Sequence, residues 1–279
     1  MNTGLKNDYV LCSADVLDLK KTFECGQCFR WTVCGDGAYT GVAGGHTLTI
    51  QQADGKILCD ALEDARPFWE NYFDLDADYE AASARFTEPE YLRDCADFGR
   101  GIRILRQDPW ETLVSFIISQ CNNIPRIKTI IAALCENFGE TLSDGLWSFP
   151  SPERLAVLDA QALAPLKSGY RANYILGAAR AVADARLDLA ALLALPSDEA
   201  FARVRSIYGV GEKVANCFML YGLHRMERFP IDVWMRRALD RHFPKNFDPK
   251  VLGSFAGLAQ QYIFYYARSN ERSDSLACT

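Results

Sequence analysis

The stretch Tyr208-Gly209-Val210-Gly211-Glu212-Lys213-Val214-Ala215 decides how the rest of the chain is read. Before it, Pro196-Ser197-Asp198-Glu199 opens a helix, with Ser197 as the expected cap, and Phe201, Val204, Arg205 and Tyr208 carry it onward. After it, Val214, Cys217, Phe218 and Tyr221 continue at helical spacing. Two helices joined by a Gly-x-Gly turn make a helix-hairpin-helix over about 197–223. Glycine permits positive φ and close backbone approach, so Gly209, Val210 and Gly211 suit a grip on a phosphate. The second helix adds free N–H groups and the positive end of its dipole. Taken alone, such a turn is more often a plain connection between helices.

Lys213 changes that weighting. It falls in the first turn of the second helix, where a positive side chain opposes the dipole and stability would favour Asp or Glu. A nucleophile gains from the lower pKa that such a place gives. Cys217 follows four residues on, on the same helix face; as a free cysteine it is more commonly a small buried apolar residue. Asp232 follows Lys213 by 19 residues (232 − 213), within Phe229-Pro230-Ile231-Asp232-Val233. It is a candidate helix cap and a candidate partner for the lysine.

Composition sets the frame. The chain has 279 residues, 49% hydrophobic and 24% charged, enough for one large or two ordinary globular domains. No apolar run approaches the roughly 20 residues needed to span a bilayer, and Met1 to Asp8 has no apolar leader core. An intracellular location is expected, cytoplasmic or nucleoid if the source is bacterial. The ten cysteines are expected as free thiols. Cys25 and Cys28 form one close pair without the second that a zinc ribbon needs. Cys278 alone at the C-terminal end cannot hold an iron–sulfur cluster. The net charge of −6 speaks against nucleic acid as a partner only weakly, because a local basic face is what matters. Arg225, Arg228, Arg236, Arg237 and Arg241 form one basic group, and Lys167, Arg171 and Arg180 another; most of these read as solvated helix faces.

Residues 8–60 read as β-rich, with strands around Phe29–Val33 and Leu48–Gln51 and turns at Gly35-Asp36-Gly37 and Gly44-Gly45. Helical stretches are expected around 64–72 and 78–85. From about 108 the chain reads as helical, with Asp108-Pro109, Ser151-Pro152 and Asp248-Pro249 as helix starts. The expected fold class is α+β. An antiparallel sheet domain with helices spans 1–104, and a larger helical region spans 105–279.

The hairpin followed by Pro230-Ile231-Asp232-Val233 resembles the helix-hairpin-helix, Gly/Pro-rich loop, Asp superfamily of base-excision DNA glycosylases. Gly26-Gln27-Cys28-Phe29-Arg30-Trp31, Leu105-Arg106-Gln107-Asp108-Pro109, Ser115-Phe116-Ile117-Ile118-Ser119 and Gly169-Tyr170-Arg171-Ala172 resemble its 8-oxoguanine DNA glycosylase branch. The resemblance runs from about 23 to 268. The branches that carry a C-terminal four-cysteine cluster do not match. Monofunctional alkyl-base enzymes lack a lysine at the position of Lys213, so the resemblance implies a bifunctional glycosylase and AP lyase.

The resemblance implies base flipping into a pocket, with Lys213 as nucleophile and Asp232 as the carboxylate that stabilises charge on the sugar. It implies that the Gly26 carbonyl accepts the N7–H of 8-oxoguanine, which guanine lacks. Phe264 and Cys217 would sandwich the base and Gln260 would read its Watson–Crick edge; without the resemblance, Gln260 and Phe264 are simply one helix face. Trp234, where animal members have histidine, would belong to the network near Asp232. Asn122, Arg126, Tyr170 and Arg171 would fill the duplex gap and address the orphaned cytosine. Cys121 departs from a run of three asparagines, which predicts a looser preference for cytosine. No cofactor is required by this reading. A cation held by backbone carbonyls of Arg205, Ile207 and Val210 is implied at the hairpin. The expected partner is duplex DNA containing 8-oxoguanine, the expected state is a monomer, and no membrane is involved. Two alternatives are a glycosylase for another damaged base and a non-catalytic helix-hairpin-helix DNA-binding protein. Product analysis separates the first, and covalent trapping by borohydride the second.

Overall fold

The structure, a computed structural model, describes residues 8–276 except 36, 62 and 144. Asp36 of the predicted first turn and Cys278 lie outside the described residues. Strand β1 (Asp8–Ser13) and helix α1 (Leu19–Glu24) precede strands β2 (Trp31–Cys34), β3 (Ala38–Ala43), β4 (His46–Ala53) and β5 (Lys56–Asp60). The sheet order is β1-β5-β4-β3-β2 and every pairing is antiparallel. Gly44 and Gly45 turn the β3–β4 hairpin at positive φ. Within β2–β3, Trp31 faces Gly41, where an added Cβ would lie 2.4 Å from the indole. That space lets Trp31 lie flat on Phe23, with ring centroids 4.1 Å apart, in a core completed by Trp69 and Phe73.

Helices α2 (Arg66–Tyr72), α3 (Tyr79–Ser83) and α4 (Glu90–Gly99) follow, then α5 (Pro109–Ile118) and α6 (Ile124–Phe138). A small β6 (Thr141–Ser143) and β7 (Leu146–Trp147) ribbon leads to α7 (Pro152–Ala156), α8 (Arg171–Ala183) and α9 (Leu189–Ala194). The chain ends with α10 (Ser197–Arg205), α11 (Glu212–Tyr221), α12 (Val233–His242) and α13 (Ala256–Leu276). The Asp108 and Ser151 starts are capped as expected, their side chains accepting from Glu111 N and Arg154 N. Asp248 caps a 3₁₀ segment, Pro249–Phe255, rather than an α-helix.

Ser197 does not cap α10. Pro196 occupies the cap position, and the Ser197 hydroxyl donates to Glu227 (2.5 Å) and accepts from Arg228 (2.9 Å). A long-range partner has taken the hydroxyl from the local cap.

The α+β class holds, but the two cores interleave across residue 105. Leu92, Cys95, Ile102 and Ile104 belong to the helical core, whereas Leu105 belongs to the sheet core. Helix α4 reaches the helical core by packing on α13, where Gly99 leaves room for Tyr262; a Cβ there would lie 2.3 Å from the ring. Buried Asp74 ties the N-terminal half to the loop after α11. It accepts from Tyr79 (2.8 Å), Arg106 (2.7 Å) and His224 (3.2 Å). Among the described residues no helix is long and apolar enough to cross a membrane.

Candidate active site

The hairpin turn is built from two glycines with different reasons. Gly209 has φ +85°, and a Cβ on it would lie 2.2 Å from the Tyr174 ring, so the protein itself demands glycine there. Gly211 has φ −84°, and nothing lies within 4 Å of where its Cβ would be. No packing demand explains Gly211. Its open side, at the N-terminus of α11, is where another molecule's backbone can come close. Gln120, at the end of α5, braces the turn by donating to the Gly209 carbonyl at 3.1 Å. At the implied cation site the Ile207 carbonyl accepts the Val210 N–H at 2.9 Å, which leaves it a second lone pair for a cation. Among the described residues no group of three or more His, Cys, Asp or Glu could hold a metal; backbone carbonyl oxygens could hold a monovalent or a divalent ion.

Lys213, Cys217 and Tyr221 recur every four residues along α11 and face one cavity of about 40 Å³. Cys25, Gly26 and Phe116 line it from two other segments; Pro230 and Asp232 line it from the loop before α12. Gln260 and Phe264, one turn apart on α13, complete it. Lys213 Nζ donates to Ser119 Oγ at 3.1 Å and sits 5.1 Å from the centre of the Phe116 ring. Asp232 is fixed as the cap of α12 by accepting from Met235 N at 2.9 Å, so it is both cap and cavity wall. Burial pushes the Cys217 thiol up to about 11 even though Lys213 pulls it down. It stays protonated near neutral pH, as a packing surface and not a nucleophile.

Gly26 has φ +85°, and a Cβ there would meet Phe264 and Ile124 at 3.2 Å. The Phe264 ring therefore lies directly beside the Gly26 backbone. The cavity has room for a few waters, and the partly buried Phe264 forms one of its walls.

Asn122 and Tyr170 lie just before α6 and α8, and Arg126 and Arg171 in the first turns of those helices. Arg126 donates to the Lys167 carbonyl at 3.2 Å, and Asn122 to the Ile118 carbonyl at 3.2 Å. Arg171 is buried, its guanidinium donating to the carbonyls of Gln120, Cys121 and Ser168. Tyr170 is half exposed and packs on Arg171, and Cys121 is exposed beside them.

Trp234 is not among the cavity residues. It is partly buried, with the Arg237 guanidinium 5.7 Å from its ring. The basic group divides as well. Arg225 donates to the Leu193 and Leu195 carbonyls, Arg180 to those of Ala156 and Leu158, and Arg228 pairs with Asp198 at 2.7 Å. Arg225 and Arg228 are partly buried tethers, while Arg180 is tethered yet exposed, as are Arg236, Arg237 and Arg241. Sequence reasoning assigned no role to Phe116, Ser119, Gln120, Tyr221 or Cys25. Tyr221 had a legible signal, the four-residue spacing from Lys213 and Cys217. The others depend on how α5 and the segment after α1 pack.

A family model described as the N-terminal domain of 8-oxoguanine DNA glycosylase matches residues 9–113. One described as the HhH-GPD superfamily base excision DNA repair protein matches 114–251. An N-glycosylase/DNA lyase of Saccharomyces cerevisiae is 42% identical over 159 residues, 52% of this chain and 42% of the relative. The N-glycosylase/DNA lyase OGG1 of Arabidopsis thaliana is 32% identical over 241 residues, 78% of this chain and 64% of the relative. The chain thus spans less than two thirds of these two relatives. The solved 8-oxoguanine glycosylase/lyase of Clostridium acetobutylicum, in complex with double-stranded DNA containing cytosine opposite 8-oxoG, superposes with a TM-score of 0.86 at 34% identity. That match covers 92% of this chain and 93% of that one. With a lysine and a capped aspartate meeting behind a glycine hairpin, the chain belongs to the HhH-GPD superfamily of base excision DNA repair proteins, in the 8-oxoguanine DNA glycosylase family.

Proposed function

We propose that this protein is a bifunctional DNA glycosylase and AP lyase that excises 8-oxoguanine from duplex DNA. The observation that carries the reading is the meeting of Lys213, Asp232, Gly26 and Phe264 in one cavity, from four separate segments. The hairpin holds the strand through the N–H groups around Gly211 while the nucleotide is flipped out. The Lys213 nitrogen bonds to C1′ through its lone pair as the C1′–N9 bond breaks, and the base leaves with the electron pair of that bond. The Asp232 carboxylate stabilises the positive charge that builds on the sugar. The amine proton passes to the departed base; the nitrogen lone pair then breaks the C1′–O4′ bond, O4′ takes a proton, and a protonated Schiff base results. Removal of a C2′ proton then expels the 3′ phosphate and cuts the strand. A cation on the carbonyls of Arg205, Ile207 and Val210 would add positive charge near the held phosphate, and no step depends on it.

The Gly26 carbonyl selects the lesion. It accepts the N7–H of 8-oxoguanine and faces a lone pair on guanine, a difference of about 1–3 kcal/mol. Phe264 and Cys217 sandwich the base and Gln260 reads its edge. Asn122, Arg126, Tyr170 and Arg171 serve the gap left in the duplex. Cys121 cannot donate and accept as an amide does, so Cys121→Asn is expected to sharpen the preference for cytosine, read as excision rates with each of the four opposing bases.

Borohydride trapping tests the chemistry. Wild type should crosslink to 8-oxoguanine duplex and Lys213→Gln should not. A wild type that excises the base without a trappable adduct would remove the lyase from this reading.

A further inference from the structure

Behind the cavity wall lies a set of buried amides that the chemistry above does not use. Gln261 is fully buried next to Gln260 on α13. Its Nε2 donates to the Cys25 carbonyl at 2.9 Å. Its Oε1 therefore faces Tyr221, whose hydroxyl donates to it at 2.6 Å. The same hydroxyl stands 3.3 Å from Oε1 of Gln260. An amide oxygen only accepts, so Tyr221 is the donor, its single proton given mainly to Gln261 and shared weakly with Gln260. With its oxygen turned to Tyr221, Gln260 keeps its NH₂ group for an acceptor in the cavity.

The other end of the relay holds Gly26. The carbonyl before it, Cys25, is taken by Gln261; the carbonyl after it, Gln27, is taken by Gln107 at 2.9 Å. The Gln27 side chain is itself pinned, donating to Arg103 O at 2.7 Å and accepting from Leu105 N at 2.9 Å. Among the described residues no group donates to the Gly26 carbonyl between them. It is the one acceptor in this segment left for a ligand.

We propose that Tyr221 and Gln261 are positioning residues for lesion recognition. They join the Cys25–Gly26 peptide and the Gln260 amide into one hydrogen-bonded unit, so that the acceptor for N7–H and the donor for O6 are set in register before the base arrives. Neither residue touches the sugar or Lys213's bond to it. The relay acts on the base and not on the lyase chemistry. Burial keeps Tyr221 a neutral phenol, so its proton stays in the relay through the working pH range. Loss of either residue leaves buried groups unpaired, and the peptide or the amide turns to recover a partner.

The inference rests on the 8-oxoguanine reading, and two substrates separate the two. Single-turnover rates are measured for the full chain on an 8-oxoguanine:cytosine duplex and on the same duplex with a preformed abasic site. Gln261→Leu should lower the ratio of base excision to abasic incision by roughly tenfold or more, and Tyr221→Phe by about threefold. Equal loss on both substrates for both variants, or an unchanged ratio, overturns the relay and leaves the base assignment standing. A wild type that cuts the abasic duplex and spares 8-oxoguanine overturns the base assignment, and the relay with it.

Discussion

The two ends of the cavity are made in opposite ways. The hairpin end, Gly209 to Lys213, is five consecutive residues, and its geometry follows from one turn and one helix start. The base-reading end joins Gly26, Tyr221, Gln260, Gln261 and Phe264, with 238 residues (264 − 26) between its extremes. In the proposed function the first end acts on sugar and phosphate, which are the same at every nucleotide. There the second end tells one oxidised base from its parent. A local motif suffices for a common target, whereas discrimination needs groups from several directions, held by buried hydrogen bonds that cost dearly when broken.

The largest effect should erase the distinction. Lys213→Gln should abolish both base excision and abasic incision, leaving thermal stability near that of wild type, because Lys213 is only partly buried. Retained abasic incision would move the nucleophile elsewhere. Gly26→Ala should separate the two ends. A left-handed alanine costs about 1–2 kcal/mol and crowds Phe264, so excision should fall about tenfold or more while abasic incision persists. Equal loss of both would join what the comparison keeps apart.

Smaller effects divide the hairpin itself. Gly209→Ala must adopt positive φ and push aside Tyr174, so it should lower stability by about 2–4 kcal/mol in denaturant titration. Gly211→Ala meets neither problem; it should change stability by no more than about 1 kcal/mol but weaken binding to duplex DNA. If both behave alike, Gly211 is an ordinary cap. The least effect is on the thiols. Cys217 and Cys25 are raised by burial to about 11 and about 12. Between the ordinary thiol pKa near 9 and those values the unfolded chain has released protons that the folded chain keeps, so stability falls as pH rises through that window. Iodoacetamide at pH 8 should label exposed Cys121 and spare Cys217, by mass spectrometry.

Much of the site was legible locally. The lysine at the start of α11, the capped Asp232 and the glycine turn each follow from short-range rules. Gln260 and Phe264 carried no signal of their own beyond a helix face, and only the resemblance singled them out. Ser197 was misread because local rules cannot see Glu227 and Arg228 arriving from 30 residues away. Most of the basic residues read as solvated are exposed, but Arg225 and Arg228 are held by carbonyls and a carboxylate of other segments, which local rules cannot see.

The antiparallel sheet followed by helices, the hairpin, and the placing of Lys213 at a helix start and Asp232 at a cap were readable from the residues alone. Those depend on turn chemistry, capping and periodicity over a few residues. That Cys25, Tyr221 and Gln261 are hydrogen-bonded together, that Arg171 braces loops, and that Trp234 packs with Arg237 came from the packing. Those outcomes depend on which buried polar groups meet across packed helices, and a buried group's partner is set by the fold around it rather than by its neighbours in the chain.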